Sequence, residues 1–251
     1  MIVTADQIND YSRSIKAIQR GASNLMYETL EPVWGMDGAR LKSSLERSVR
    51  ETAPSIARRY AQAAGEVSAE LWEDIYGSDT GEREEALLPD IDIDGRFADR
   101  AVNAVSNRFG EGDKDTASAF LASFVTKAVA DAARQTQTYN TRRVYKKRMS
   151  GWEKARFARI PQGDKTCAFC MMLASRGFVY LSRETAGEFD KYHTDCDCLV
   201  VSAFSSDAAV EGYDPSELYQ MYQGAIVRNG DDGPIDLNGT LANMRKMYGM
   251  H

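Results

Sequence analysis

Four cysteines occur in this 251-residue chain, and all of them fall between Cys167 and Cys198. Cys167-Ala-Phe-Cys170 is a C-x-x-C, and after twenty-two intervening residues comes His193-Thr-Asp-Cys196-Asp-Cys198. Two thiolates three residues apart chelate one ion from a tight turn, and a distant His/Cys pair closes a tetrahedron around it. Ligands of this softness suit zinc, in a structural role. Five candidates compete for four positions. The preferred set is Cys167, Cys170, His193 and Cys198, with Cys196 as the near alternative. Cys196 and Cys198 are two apart, so on a strand both point to one face. A disulfide brace and reduced, packed thiols are the other chemistries that this clustering allows.

Catalytic chemistries fit less well. Zinc deaminases place H-x-E ahead of a C-x-x-C; here the C-x-x-C comes first and no H-x-E exists. A catalytic zinc keeps one position open, whereas five ligands readily close this one. A thioredoxin-type motif needs a βαβ setting that the surrounding sequence lacks. No Gly-rich phosphate loop, G-x-S-x-G or H-E-x-x-H is found. Nucleophilic catalysis by His193 with a cysteine is the enzymatic reading that stays open.

The composition, 43% apolar and 27% charged, is that of a globular protein. No run approaches the roughly 18 apolar residues that cross a bilayer, so no membrane association is expected. The first residues, MIVTADQINDYS, carry neither a basic leader nor an apolar core, so the expectation is synthesis in the cytoplasm. The net charge of −6 argues against general nucleic-acid binding, but the charge is uneven. Arg134 to Arg159 holds nine Lys or Arg and one acid, Glu153, while Glu66 to Asp99 is strongly acidic. The basic candidates for phosphate or an acidic partner are Arg134, Arg142, Arg143, Lys146, Lys147, Arg156 and Arg159; a solvated helix face is the competing reading.

The elements that must position these residues are mostly helical. Ile8, Tyr11, Ile15, Ile18, Ala22 and Leu25 form one stripe of a first helix, broken at Glu31-Pro32 and Gly35. A second starts near Ala39 with Leu41, Leu45 and Val49; Pro54 interrupts it, and Ile56, Tyr60, Ala63, Val67, Leu71 and Ile75 resume it in register. Residues 77–94 read as an exposed loop, and DIDIDG at 90–95 lacks the remaining ligands of an EF-hand. A short helix is expected over 96–109. The longest helix should run from about 115 to 149, with Phe120, Phe124, Ala128, Ala132 and then Tyr139 or Val144 buried, and should stop at Gly151.

Beyond Gly151 the runs at 155–160, 178–181 and 198–204 have strand character. Asp214-Pro215-Ser216-Glu217 supplies an N-cap, a first-turn proline and a capping-box acid for a helix to about Val227. A last helix is expected over 237–248. The fold class is therefore α+β, with a mainly helical part over 1–150. A small α+β Cys/His module with C-terminal helices follows over 151–251.

The string ARIPQGDKTCAFCMMLASRGFVY, followed by YHTDCDCLVV, resembles the C-terminal module of Mu F-like phage minor head proteins of actinobacterial phages and prophages. The shared parts are a basic strand with Arg156 and Arg159, the Cys167/Cys170 pair and the small residues from Leu173 to Gly177. The ending of His193, Cys196 and Cys198 matches as well. Arg134 and the Arg142-Arg143 pair fit the basic helix that precedes this module in the family. The likeness spans about 70 residues, from Arg134 to Phe204. Asp197 departs from it, because a basic residue often stands between the last two cysteines. The resemblance implies a minor capsid protein for head morphogenesis, acting in procapsid assembly near the portal. Its implied partners are portal, scaffold and major capsid proteins, with packaged DNA as a further contact. Its implied place is the virion head. Some relatives are labelled capsid maturation proteases, so a protease or head-carried effector enzyme is the alternative.

Overall fold

The computed structural model describes residues 2–91, 93, 114–147, 155–163, 166–179, 196–230 and 232–250. The expected helix over 96–109 and His193 lie outside them.

Helix α1 (Ala5–Trp34) begins in a capping box, in which Thr4 and Gln7 satisfy each other's backbone amides. Ile8, Tyr11, Ile15, Ala22, Met26 and Leu30 are buried along it. The helix runs past the expected break at Pro32, because Val33 is buried and Trp34 Nε1 donates to Ser118 Oγ at 2.8 Å. Helix α2 (Gly38–Arg47) leads into a π-helical turn, Ser48–Thr52, and then into α3 (Ala53–Thr80). The interruption expected at Pro54 takes this form. The amide of Ala53 reaches back to Ser48 O, widening the helix by one residue just before the proline that has no amide to give. Helix α3 ends at Gly81, whose φ of 73° is left-handed.

Helix α4 (Lys114–Lys147) packs against α3 and α1. Leu121, Val125 and Val129 are fully buried, whereas Phe120 and Phe124 are only partly buried and meet as a tilted ring pair, 4.6 Å between centroids. Of the two alternatives for the end of the stripe, Val144 is buried and Tyr139 is 43% exposed. Strands β2 (Arg156–Ile160) and β3 (Leu199–Ala203) pair antiparallel, Arg156 opposite Ala203 and Ile160 opposite Leu199. Between them lies the short helix α5 (Ala168–Ala174). Phe178 and Val179 are irregular rather than strand. The ribbon shares the helical core: Ala158, Ile160, Val201 and Phe204 pack with Trp72 and Tyr76 of α3.

Residues Ile2–Val3 form β1, which pairs in parallel with β4 (Ala209–Val210) and ties the start of the chain to its last third. Helices α6 (Pro215–Ala225) and α7 (Leu237–Tyr248) follow, capped by Asp214 and Asp236. They cover α5 through a second small core of Ala168, Met172, Leu173, Ala225, Leu241 and Met244. The chain is mainly helical, with a small α+β part that carries the cysteines. Among the described residues no helix is long and apolar enough to cross a membrane.

Candidate metal centre

Cys167 is the N-cap of α5, and its Sγ accepts the backbone N–H of Cys170 at 3.2 Å. The C-x-x-C turn thereby orients both sulfurs to one side. Residues 196–198 run extended into β3, so Cys196 and Cys198 face the same way and Asp197 faces the other. The outcome is a cluster. Cys170, Cys196 and Cys198 place their sulfurs within 4.8 Å of one another, all three buried, and Cys167 packs against them. The Cys170 and Cys196 sulfurs are 3.3 Å apart, and none of the four cysteines is in a disulfide. Cys196 thus sits inside the cluster rather than beside it.

Arg134 of α4 holds the cysteine strand in place. Its Nε donates to Cys198 O at 2.9 Å, one terminal nitrogen donates to Cys196 O at 2.5 Å, and the other pairs with Asp131 at 3.1 Å. On the opposite face, Thr166 Oγ1 donates to the Asp197 carboxylate at 3.2 Å. A side chain at Gly163 would collide with that carboxylate, since a Cβ there would stand 1.9 Å from Asp197 Oδ2.

The electrostatics follow from this geometry. Hydrogen bonds from Cys170 and then Cys198, helped by the charge of Arg134, hold the Cys196 thiol far below its usual range despite burial. Hydrogen bonding to Cys167 first, then to Cys196 and Cys198, pushes Cys170 up, and burial adds to this. For Cys198 the Cys170 hydrogen bond pulls down, but the bond to Cys196, burial and the neighbouring negative charges outweigh it, and the thiol is raised. One thiolate stabilised by thiol neighbours is a ready first ligand for a soft cation, which displaces the remaining protons as it binds.

The basic candidates are distributed differently. Arg134 is 4% exposed and Arg159 is 3% exposed. Arg143 pairs with Glu84 at 2.8 Å and also donates to Glu85 O. Arg142 lies over the Phe157 ring, 5.6 Å from its centroid. Arg156 opens β2 half-buried, Lys146 is exposed, and Lys147 is the last residue of α4.

Two features went unread in the sequence. One is a buried polar seam. Tyr11 donates to Ser68 at 3.1 Å, Gln137 donates to Ser68 O at 2.8 Å, and Ser202 donates to Gln137 Oε1 at 2.7 Å. Thr141 meets Ser202 at 2.6 Å and accepts Trp72 Nε1 at 3.0 Å. The signal was present as the polar run QTQTYNT within an otherwise alanine-rich helix. The other is the extended segment after Gly81. Asn140 accepts the amide of Leu87 at 2.9 Å and donates to its carbonyl at 2.8 Å, as a neighbouring strand would.

The family model for the VG15 protein matches residues 2–225. The chain is 26% identical over 193 residues to the Gene 15 protein of Mycobacterium phage D29, covering 60% of this chain and 64% of that protein. It is 33% identical over 92 residues to the Gene 15 protein of Mycobacterium phage L5, covering 22% of this chain and 30% of that protein. The chain therefore spans less than two thirds of either relative's length. No solved structure matches it significantly. With a match that runs from β1 to the end of α6, the chain belongs to the VG15 protein family and is a phage protein of actinobacterial-phage type.

Proposed function

We propose that this chain is a minor capsid protein for head morphogenesis, which acts in procapsid assembly near the portal and resides in the virion head. Its partners would be the portal, scaffold and major capsid proteins, with packaged DNA as a further contact. Residues 1–150 and 151–251 would be its two working parts, joined through the core that the ribbon shares with the helices. Membership in a phage family supports the assembly role, and the motif string around the cysteines supports the Mu F-like assignment.

The observation that carries the reading is the buried cysteine cluster. Two short segments, 167–170 and 196–198, meet through sulfur in a cluster separate from the two apolar cores. Zinc fits this donor set. Tetrahedral Zn–S bonds of about 2.3 Å put sulfurs about 3.8 Å apart, close to the spacing found here. Cys170, Cys196 and Cys198 would supply three ligands, and Cys167 or His193 the fourth. Zinc there would be structural, and its binding energy would become folding energy, as in zinc-finger peptides at about 10–16 kcal/mol. Burial of Cys170, Cys196 and Cys198 favours this over the protease or effector alternative, since a cysteine nucleophile must be reached by its substrate.

Two measurements test the proposal. Native mass spectrometry should find one zinc per chain, lost with a strong chelator together with resistance to proteolysis beyond residue 155. A metal-free chain whose protease resistance ignores the chelator would remove the brace. Co-expression of the tagged chain with portal, scaffold and major capsid proteins should yield procapsids that contain it in few copies. Procapsids that form without incorporating it would overturn the assembly role.

A further inference from the structure

The basic half of α4 is partly covered by the chain's own acidic segment. After Gly81 the chain runs extended along α3 and α4 as a strap. Its contacts include Tyr76 Oη to Glu82 at 3.3 Å, Arg143 to Glu84 at 2.8 Å and to Glu85 O, the Ala86 amide to Glu73 at 2.8 Å, and both backbone groups of Leu87 to Asn140. Leu88 packs over Gly65, where a Cβ would stand 3.2 Å from its Cδ2. These contacts combine a cation for a carboxylate, an amide side chain for the peptide backbone and a small-residue seat for a leucine. That is recognition of an acidic, apolar, extended peptide.

Beside the strap the same helix face continues as an open groove of about 660 Å³. Thr138, Tyr139, Arg142 and Lys146 line one wall, and Pro89 with Asp90 of the strap forms the other. Tyr139, Leu87 and Leu88 are each more than 40% exposed, an apolar strip rimmed by charge. Within the groove, Tyr139 beside Arg142 pairs two residue types that are enriched in protein-docking centres. Polyanion binding is less well served here. A duplex backbone calls for a long row of cations, whereas the groove offers Arg142 and Lys146 beside Tyr139, enough for a short acidic segment.

We propose that the groove along Tyr139, Arg142 and Lys146 is a docking site for an acidic, leucine-bearing extended segment of a partner protein, laid beside the strap. The site requires no metal and goes beyond the head-assembly reading, which is tested separately by incorporation into procapsids.

Binding of a fluorescein-labelled peptide EEALLPDIDID to the full chain, read by fluorescence anisotropy, tests this. The expected result is saturable binding that weakens tenfold or more in Arg142→Glu/Lys146→Glu. Binding should stay within twofold in Arg40→Glu/Lys42→Glu, the same charge change on exposed α2 residues, with circular dichroism confirming that both variants fold. Absence of peptide binding up to millimolar concentration would overturn the proposal. So would peptide binding indifferent to Arg142 and Lys146, whether by exchange with the strap or otherwise. A 20-base-pair duplex that binds through those two residues while the peptide does not would make this a phosphate site, and the proposal would fall.

Discussion

Arg134 and Cys198 are joined across the molecule: the guanidinium Nε in the middle of α4 donates to the Cys198 carbonyl at 2.9 Å. A second bond from the same side chain reaches Cys196 O, so one buried cation fixes the direction of the whole C-x-C strand. Because the carbonyls are pinned on one side, both sulfurs are presented on the other, toward Cys170.

Arg134→Met should therefore do more than remove a charge. It leaves two buried carbonyls without this donor and Asp131 with Lys127 as its remaining cation, at a cost of about 3–5 kcal/mol. Urea denaturation should show the midpoint falling accordingly, and thiol titration in native buffer should find cysteines newly reactive. Arg134→Lys, which restores charge but not the fork, should recover only part of the loss. Wild-type stability in the methionine variant would mean that the strand is held by other contacts.

The thiols should not be equivalent. Cys170→Ser, Cys196→Ser and Cys198→Ser each remove a member of the mutually close set and should abolish stoichiometric zinc. Cys167→Ser sits at its edge and should weaken affinity, with His193→Ala deciding which residue completes the tetrahedron. Cobalt(II) substitution reads this directly: an unchanged thiolate-to-cobalt charge-transfer band in His193→Ala would assign the fourth position to Cys167.

Gln137→Leu tests the polar seam. The substitution removes the side-chain acceptor of Ser202 Oγ and a side-chain donor to the helical carbonyl of Ser68, in an interior where Gln137 is wholly buried. A loss of about 2–4 kcal/mol is expected. Coupling to Ser202→Ala in a double-mutant cycle should exceed about 0.5 kcal/mol; simple additivity would mean that the two side chains act independently.

Alkaline stability should report Tyr11. Burial raises its hydroxyl from 10.0 to about 12, outweighing the Ser68 hydrogen bond and the charge of Arg134. The unfolded chain releases this proton near pH 10 while the folded chain keeps it. The stabilising contribution is thus whole below pH 10 and is lost as pH climbs through 12, amounting to about 3 kcal/mol. Tyr11→Phe should flatten that part of the stability profile while costing the hydrogen bond at neutral pH. An unchanged alkaline slope in the variant would assign the transition to other tyrosines.

What was legible in the sequence was local. The stripe through Ile8, Tyr11 and Ile15, the cap at Asp214 and the C-x-x-C turn depend on residues three or four apart, where helix geometry alone puts side chains together. The strand character of 155–160 and 198–204 was readable for the same reason, and the two runs do form one ribbon. Pro54 signalled a disturbance, although its form, a π-turn that widens the helix before the missing amide, depends on what packs around Ser48 and Val49.

Tertiary structure decided the rest. In sequence Arg134 was one cation among nine between 134 and 159; only packing α4 against the cysteine strand turns it into a buried donor for carbonyls 62 and 64 residues away. Residues 82–90 showed no periodicity because their backbone is satisfied by the side chains of Asn140 and Glu73, which no short-range pattern encodes. The pairing of Ile2 with Ala209 follows the same rule. Local spacing determines which groups point the same way along one element, whereas burial, and with it the role of each charge and thiol, is a property of the elements brought together.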